Sequence, residues 1–538
     1  MTRVTATAED APPATASAPQ RSDRRQAAVD AGLLSPLEPL TRWAWTAVLA
    51  VTTLGGLLRF WRLDQPHTLV FDETYYVKQG VSYLRAGYEL AWIGEAKDID
   101  PKFAAGDMNV FKDSPDYVVH PPVGKWMIAF GEWIFGPESS WGWRFSVAVV
   151  GTLSILMMCL IARRLLGSTV LGVTAGLLFS VDGVQFVMSR TGLLDTFVMF
   201  WALAAFGCLL LDREWGRIRL VERIAAGASL DGLGPGLGFR PWRWAAAVCL
   251  GLCTGTKWSG IFVAFAFGVL MTCWDAGARR RAGVWNPFGG AVLRDGVLGV
   301  LIFVPTIVVV YLASWTGWFV SSGGYDRQWG ADNPSRHFGF VPDALRSLWH
   351  YHSEMYSFHV GLDTPHPFQS NPWSWMVLGR PTAFYYEWLD FGKGGCTVAG
   401  GCGRIINPIG NPLIWWGGLL AVFVLLFRWA LSRDWRAGAI LCGLAAGYLP
   451  WFHYQHRTIF DFYSIAFLPW VVLGLTYALG LVVGPESVSV RRHRYGVIAV
   501  GTFVVLAVLV FWFMYPIYTA ELIPRTSWSE RLWLPGWS

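Results

Sequence analysis

Long apolar runs separated by polar loops dominate the chain. Eleven of them predict membrane-spanning helices, because crossing the apolar core of a bilayer takes about 20 residues and most of these runs approach that length. The runs occupy residues 43–60, 145–162, 169–187, 193–211, 243–255, 258–275, 293–314, 412–431, 435–452, 459–483 and 495–516. Only Gly255, Thr256 and Lys257 interrupt the tract from 243 to 275, so one broken helix is an alternative there. The pattern predicts an all-α polytopic membrane protein.

The polar stretches divide the chain into regions. Residues 1–40, rich in Ala, Pro, Thr, Ser and Arg, predict a disordered tail because few of them can form a core. Residues 41–314 form an N-terminal transmembrane region that contains a first long loop at 61–140. A second large loop at 315–411 precedes the C-terminal transmembrane helices at 412–517 and a tail at 518–538.

The composition is typical of a membrane protein, and the distribution of positive charge predicts its orientation in the membrane. Of the 538 residues, 54% are hydrophobic and 15% are charged, with a net charge of +6. Arginines cluster in the short loops on the side of the N-terminal tail, which the positive-inside rule predicts to be cytoplasmic. The two long loops and the C-terminus are then external, and the positive charge indicates orientation rather than nucleic-acid binding. The arginines are Arg163, Arg164, Arg213, Arg217, Arg219, Arg223, Arg279, Arg280, Arg281, Arg428, Arg433, Arg436, Arg491, Arg492 and Arg494.

Two cysteines differ in setting from the other six, which lie in apolar runs. Cys396 and Cys402 share a Gly-rich segment of the second large loop. An external compartment would be oxidising, so we expect a local disulfide between them. Two thiols without further ligands favour a metal site less.

The segment V-F-D-E-T-Y-Y places adjacent carboxylates, Asp72 and Glu73, a short distance beyond the first span. A catalytic carboxylate facing a polar cavity is one interpretation. The alternative is that Asp72 only caps a helix beginning near Thr74, which the dipeptide by itself favours by about two to one.

Four cationic residues lie at the external ends of predicted spans, where the positive-inside rule does not account for them. A single one would be a snorkelling residue, but four at one depth predict a cradle for the phosphate of a lipid. Asp195, five residues after Arg190, either holds one of these cations in place or forms a purely structural ion pair. The cations are Arg144, Arg190, Lys257 and Arg457.

Eight motifs, taken together and in order, resemble the protein O-mannosyltransferase family from about Arg42 to the last span. They are F-D-E-T-Y-Y, H-P-P-V-G-K, W-R-F-S, S-R-T-G-L-L-D, G-T-K-W-S-G, H-S-E-M, S-N-P-W-S-W and L-P-W-F-H-Y-Q-H-R-T-I-F. The second loop is too short for the β-trefoil domain that eukaryotic members insert there, so the chain resembles the bacterial, actinobacterial branch. Asp461 stands where the family often has an apolar residue.

The resemblance implies a GT-C membrane glycosyltransferase in the cell membrane. It would transfer mannose from polyprenyl-phosphate-mannose to Ser or Thr of acceptor proteins, with inversion. Asp72 matches the family's catalytic base, Glu73 a neighbour implicated in the acceptor site, and Arg144 a residue required near the second span. Acceptor proteins met during translocation, and surrounding membrane lipid, are the expected partners.

The remaining interpretations concern cofactors and supporting residues. The chemistry requires no cofactor, and a divalent metal is left open; Asp98 and Asp100 come nearest to a metal motif. We expect His352 to line an acceptor groove or to be a core histidine, and Lys125 to support the site or only to begin a helix. Two rival functions are a GT-C transferase that moves another lipid-linked sugar to a lipid or polysaccharide, and a non-enzymatic transporter.

Overall fold

The computed structural model describes residues 21–485 and 489–537, and most of these residues are helical. Helices of the N-terminal half are α1 Arg21–Asp30, α2 Arg42–Phe60, α3 Glu73–Ala86, α4 Ala96–Ala104, α5 Val123–Phe135, α6 Ser140–Leu166, α7 Thr169–Ser180, α8 Gly183–Met188, α9 Asp195–Ala225, α10 Pro241–Thr254, α11 Gly260–Arg281, α12 Pro287–Gly289 and α13 Val297–Ser314. A π-helical turn, Gly290–Gly296, joins α12 to α13.

The C-terminal half continues the helical pattern. Its helices are α14 Thr316–Val320, α15 Trp329–Asp332, α16 Asp343–Gly361, α17 Pro412–Ser432, α18 Trp435–Tyr448, α19 Pro450–His453, α20 Leu468–Val483, α21 Val490–Met514 and α22 Arg525–Ser529. Short 3₁₀ helices occupy Pro372–Val377, Asp461–Ala466, Tyr515–Tyr518 and Pro535–Trp537.

Strands are few and confined to the polar loops and the C-terminal segment. β1 Leu90–Trp92 pairs antiparallel with β2 Phe111–Pro115 inside the first long loop. β3 Tyr385–Leu389, β4 Cys402–Ile406 and β5 Ile523–Pro524 form an antiparallel sheet in that order, which ties the second loop to the C-terminal segment. A disulfide joins Cys396 to Cys402 beside this sheet.

Helices occur at all eleven predicted spans, which confirms the predicted fold class. In the described part of the chain, seven helical stretches are long and apolar enough to cross a membrane. They are Arg42–Phe60, Ser140–Leu166, Asp195–Ala225, Gly260–Arg281, Pro287–Ser314, Pro412–Ser432 and Val490–Tyr518. The other four predicted spans carry the shorter helices α7, α10, α18 and α20, of 12 to 16 residues.

The expectation of a disordered tail is wrong for residues 21–40. α1 forms there, and Leu33 packs in a buried cluster with Leu220, Leu237 and Ala278. The segment is polar in composition, yet these few apolar side chains find a surface on α9 and α11. Residues 1–20 lie outside the described residues.

Small residues allow the central helices to approach closely. A Cβ atom added to Gly176 of α7 would lie 2.0 Å from the sulfur of Cys159 on α6. Such contacts are typical of helix packing in membranes, where close backbone approach supplies van der Waals attraction that burial from water does not.

A buried ionic cluster joins α9, α10 and α11 at the end remote from Asp195. Arg240 donates to Asp212 and to Asp275, each at 2.7 Å, and Arg243 donates to Asp275 at 2.7 Å. All four side chains are buried. Removing one cation would leave a buried carboxylate poorly compensated.

We therefore expect Arg240→Met to lower the free energy of unfolding by about 3–5 kcal/mol. Thermal unfolding of the purified chain in detergent measures the effect, with Arg223→Met as the control because Arg223 is an exposed arginine of α9, the helix that carries Asp212. Equal melting temperatures for the two variants would contradict the role given to the cluster.

Candidate active site

Asp72 stands at the turn into α3, directly after a strained residue. Phe71 has a φ of 50°, in the left-handed region that residues other than glycine rarely adopt. Its ring stacks on Phe384 with centroids 4.8 Å apart and meets Phe460 and Phe462 edge-on. Because packing with the second loop and with the segment before α20 holds this conformation, the structure tolerates a strain of about 1–3 kcal/mol. Aromatic packing therefore orients the backbone that carries Asp72.

The Asp72 side chain is not used as a helix cap. Asp72 occupies the N-cap position of α3, but its side chain makes no capping hydrogen bond, and none of the described residues donates one to its carboxylate. Burial raises the pKa of Asp72 to about 6, the charge of Lys257 opposes that rise, and the charge of Asp195 adds to it. At neutral pH the carboxylate is mostly ionised, yet it is more basic than an exposed aspartate.

Glu73 has an entirely structural set of partners. Its fully buried carboxylate accepts from the Nε and one terminal nitrogen of Arg144, both at 2.8 Å. It also accepts from the backbone N–H of Val70 at 3.0 Å and of Gly192 at 2.7 Å. These bonds engage both oxygen atoms of Glu73 inside the protein, and a role of Glu73 in binding the acceptor stays a prediction.

Arg144 and Arg190, which were predicted to bind a phosphate, are engaged by hydrogen bonds within the fold. Arg144 is buried and donates, besides Glu73, to the backbone carbonyls of Leu63, Pro66 and Thr68. Arg190 is also buried and donates only to backbone carbonyls at the end of α2. These are the carbonyls of Leu58, Arg59, Trp61 and Arg62. Both guanidinium groups hold the chain that follows the first span.

A cavity of about 790 Å³ lies between α9, α11, α13, α16 and the α18–α19 corner. Two of its wall residues, Lys257 and Asp195, lie close enough to Asp72 for their charges to act on its carboxylate. Most of its wall is apolar, and its charged side chains are those of Asp195, Lys257 and Arg457. The apolar wall includes Val198, Ala202, Ile261, Phe262, Val263, Ile307, Val308, Leu312 and Val360. A site with an apolar body and a few polar groups suits an amphiphilic ligand.

Lys257 and Arg457 are the two predicted cations that reach this cavity. Lys257 lies in the break between α10 and α11 and donates to Asp195 at 2.7 Å. Its ammonium also lies 5.3 Å from the ring centre of Tyr463. The buried Nε of Arg457 has no hydrogen-bond partner among the described residues. The cavity therefore offers one cation balanced by a carboxylate and a second one with free donors.

His352 forms part of the cavity wall but has no free ring nitrogen. Its Nδ1–H donates to the carbonyl of Leu348 at 2.7 Å, so its Nε2 accepts from the Tyr311 hydroxyl at 2.6 Å. The indole N–H of Trp258 in turn donates to that hydroxyl. Burial lowers the pKa of His352 to about 4 and keeps the ring neutral. Only the face of the ring remains for contact with an acceptor.

Two histidines that the sequence interpretation did not assign to the site also line the cavity. The His359 Nε2–H donates to the carbonyl of Val119 at 2.7 Å, and its buried Nδ1 has no partner among the described residues. The rings of His120 and His359 lie 5.1 Å apart. Burial, together with the charges of Lys257 and Arg457, lowers the pKa of both. One signal in the sequence pointed to His359, because it follows His352 by two helical turns on one face of α16.

Lys125 has a supporting position behind the cavity. Its buried ammonium pairs with Glu89 and donates to the carbonyl of His120 at 2.7 Å. The pair therefore fixes the H-P-P-V-G-K turn and the cavity residue His120 within it.

Asp461 links the second loop to the same region. Its buried carboxylate accepts from both the backbone N–H and the hydroxyl of Thr382, each at 3.0 Å. Burial raises the pKa of Asp461 to about 7, while the bonds from Thr382 oppose that rise. Thr382 lies two residues before Phe384, so this tether helps to place the ring on which Phe71 stacks.

In the described residues, one group of side chains has the spacing of a metal site. Ligand atoms of Asp326, His350 and Glu354 lie within 4.8 Å of one another. None of the three lines the large cavity. Asp100, considered with Asp98 as a metal motif, instead pairs with the buried ammonium of Lys78 at 2.7 Å.

Comparison with known families matches two parts of the chain. Residues 49–230 match the family described as dolichyl-phosphate-mannose-protein mannosyltransferase. Residues 344–537 match the C-terminal four-transmembrane region of protein O-mannosyltransferase.

Curated relatives cover nearly the whole chain. A polyprenol-phosphate-mannose–protein mannosyltransferase of Mycolicibacterium smegmatis is 38% identical over 93% of this chain and 94% of its own length. Its namesake in Mycobacterium tuberculosis is 36% identical over 93% of both chains. The one in Corynebacterium glutamicum is 34% identical over 96% of this chain and 99% of its own.

Solved structures share the fold at low sequence identity. One is the Saccharomyces cerevisiae protein O-mannosyltransferase Pmt1-Pmt2 complex bound to the sugar donor, with a TM-score of 0.69, 14% identity and coverage of 94% of both chains. The oligosaccharyltransferase AglB from Archaeoglobus fulgidus has a TM-score of 0.51 at 13% identity, over 89% of this chain and 56% of its own.

A test of stability can show whether Glu73 and Arg144 stabilise the fold as a pair. We expect Arg144→Met to lower the free energy of unfolding by about 3–5 kcal/mol, because it strands the Glu73 carboxylate in the interior. The double variant Glu73→Leu/Arg144→Met should melt at a higher temperature than Arg144→Met, since it removes the stranded charge as well. Melting curves of the three proteins in detergent measure this coupling. If the two substitutions simply added, the pair would not act as a unit.

Proposed function

The chain belongs to the protein O-mannosyltransferase family, and we propose that it transfers mannose from a polyprenyl-phosphate-mannose donor to Ser or Thr hydroxyls of proteins. The observation that carries the proposal is the position of Asp72, whose carboxylate accepts no hydrogen bond from the described residues and feels the charges of Lys257 and Asp195 in the wall of the large cavity. Sequence identity of 34–38% to mannosyltransferases over nearly the whole chain supports the donor and the acceptor class.

The cavity has the two chemical environments that a lipid-linked sugar needs. Its apolar wall would hold the polyprenyl chain, which buries apolar surface there. Lys257 and Arg457 would meet the phosphate, the second with donors that the described residues leave free. The mannose would then lie between the phosphate and Asp72.

The reaction follows from this order of groups. Asp72 accepts the proton of the acceptor hydroxyl while that oxygen bonds to the anomeric carbon of mannose. The bond from that carbon to the phosphate oxygen breaks, and polyprenyl phosphate leaves with the bonding electrons. Lys257 and Arg457 stabilise the charge that develops on it, and attack from the side opposite the phosphate inverts the anomeric centre. The proposal assigns the leaving-group charge to these two side chains and calls on no cofactor.

The orientation in the membrane is part of the proposal. The arginine-rich ends of the spans lie at the far end of α9 from Asp195, and the positive-inside rule makes that face cytoplasmic. The site would then face outward, where secreted and membrane proteins could be modified as they cross the bilayer.

We expect Asp72→Asn to reduce mannosyl transfer by at least about 100-fold, because the amide cannot accept the proton. The assay combines membranes containing the protein, polyprenyl-phosphate-mannose labelled in the sugar, and a Thr-rich peptide. Asp98→Asn, at an exposed position in the same loop, is the matched control and should label the peptide normally. Equal labelling by Asp72→Asn would remove Asp72 from the reaction. Absence of labelling by the unaltered protein would favour another sugar or acceptor.

The two cations yield a second test. Arg457→Met should lower kcat/KM for the donor by about 100-fold, since one charged donor to the leaving phosphate is lost. Arg336→Met is the control, because Arg336 is an exposed arginine of the second large loop. Binding of donor lipid and turnover at the unaltered level in Arg457→Met would show that Arg457 does not contact the phosphate.

The raised pKa of Asp72 predicts the pH dependence of transfer. Only the ionised carboxylate can act as a base, so kcat/KM should fall as pH drops through about 6. Because Lys257 lowers the pKa of Asp72, the residual activity of Lys257→Met should show its acidic limb at a higher pH. A limb at pH 4, or one that moves to lower pH in the variant, would contradict this assignment.

A further inference from the structure

Four arginines converge on a second, much smaller cavity at the other end of α9. Arg213 lies about 27 Å further along this helix than Asp195. The cavity measures about 50 Å³ and is bounded by the segment after α1, the end of α6, the C-terminal half of α9 and the start of α18. Its wall contains Arg25, Arg164, Arg213, Glu214, Trp435 and Arg436.

Arg213 is buried without an anionic partner. Its side chain is 7% exposed, its guanidinium donates no hydrogen bond to any residue that the structure describes, and its buried Nε is unpartnered. The guanidinium carbon lies 3.4 Å from the ring centre of Trp435. Stacking on an indole face occupies one side of the guanidinium plane and leaves the N–H donors at its edge free.

The charges around Arg213 do not balance. Glu214 is the carboxylate in the cavity wall, and it already lies 2.5 Å from Arg164 and 3.8 Å from Arg25. Arg217, Arg281 and Arg436 add further positive charge near Arg213. Arg436 also lies 4.0 Å from Asp434, and the charges of Asp275 and Asp212 act on Arg217. A desolvated cation among like charges is costly unless an anion joins it.

We propose that this cavity binds a phosphate group, carried by an anionic phospholipid or by a small soluble phosphate. Phosphate oxygens match the donor edge of a guanidinium, and the surrounding arginines supply the charge. The cavity also lies where lipid headgroups would be found. Exposed apolar side chains flank it in the sequence, with Leu431 68% exposed just before Trp435 and Val170 62% exposed just after Gly167. The proposal is independent of the mannosyl transfer site.

Binding to the purified full chain tests the proposal in two arms. In the first arm, native mass spectrometry compares retention of phosphatidylglycerol and of phosphatidylcholine with identical acyl chains. In the second arm, inorganic phosphate is titrated while thermal unfolding is followed. A lipid ligand predicts preference for phosphatidylglycerol without an effect of phosphate, and a soluble ligand predicts phosphate-dependent stabilisation without lipid preference.

Substitution of Arg213 decides whether either signal belongs to this cavity. Arg213→Gln should reduce the preference or the stabilisation about fivefold, whereas Arg213→Lys should retain most of it. Arg223→Gln, an exposed position on α9, should behave as the unaltered protein. If Arg213→Gln does not fold, Arg436→Gln at the half-buried rim should show the same change in smaller measure. No preference and no stabilisation in the unaltered protein, or signals unchanged by Arg213→Gln and Arg436→Gln, would overturn the proposal.

Discussion

The buried pair of Glu73 and Arg144 is the constraint on which the candidate site depends. One carboxylate and one guanidinium join the start of α3, the start of α6, the loop after the first span and the backbone at Gly192. Every charged oxygen and most of the donors are used within the fold, as a buried pair requires. Asp72 directly precedes Glu73, so the same pair that fastens the chain also fixes where the neighbouring carboxylate can lie. The two adjacent acidic residues thus differ in role. Glu73 is fully hydrogen-bonded within the fold, whereas no described residue donates a hydrogen bond to the Asp72 carboxylate.

The cations at the external ends of the spans divide by how completely the fold satisfies them. Arg190 donates to backbone carbonyls, and Arg144 donates to backbone carbonyls and to Glu73, so an additional phosphate would have to displace bonds that hold α2 and its loop. Lys257 has one carboxylate partner, and Arg457 retains an unpartnered Nε at the cavity. The hydrogen bonds of these four cations therefore distinguish those that support the fold from those that face the cavity. Counting charged residues in the sequence does not reveal this difference.

The sequence allowed the fold class to be predicted, because spans of apolar residues in a membrane protein leave few alternatives to helices. The break at Gly255, Thr256 and Lys257 was also visible, and it places Lys257 in the cavity because α10 ends before it and α11 begins after it. The partners of Glu73 and Arg144 could not be predicted, because a motif gives the residue type but not the residue with which it pairs. α1 was missed because its contacts with α9 join residues about 190 positions apart, which no local pattern records. The strained Phe71 was equally hidden, since its conformation is imposed by rings from distant segments.

Phe71 links the position of Asp72 to the second large loop. A left-handed phenylalanine persists only if its surroundings determine it, and here the determining ring is Phe384 of the second large loop. That loop is in turn held by the two bonds that Thr382 donates to Asp461. The position of Asp72 therefore depends on the second loop through Phe384 and Asp461 as well as on the first loop through Glu73. The bonds from Thr382 give the buried carboxylate of Asp461 a physical role. A carboxylate there ties the second loop to the segment before α20, next to the aromatic rings that hold Phe71.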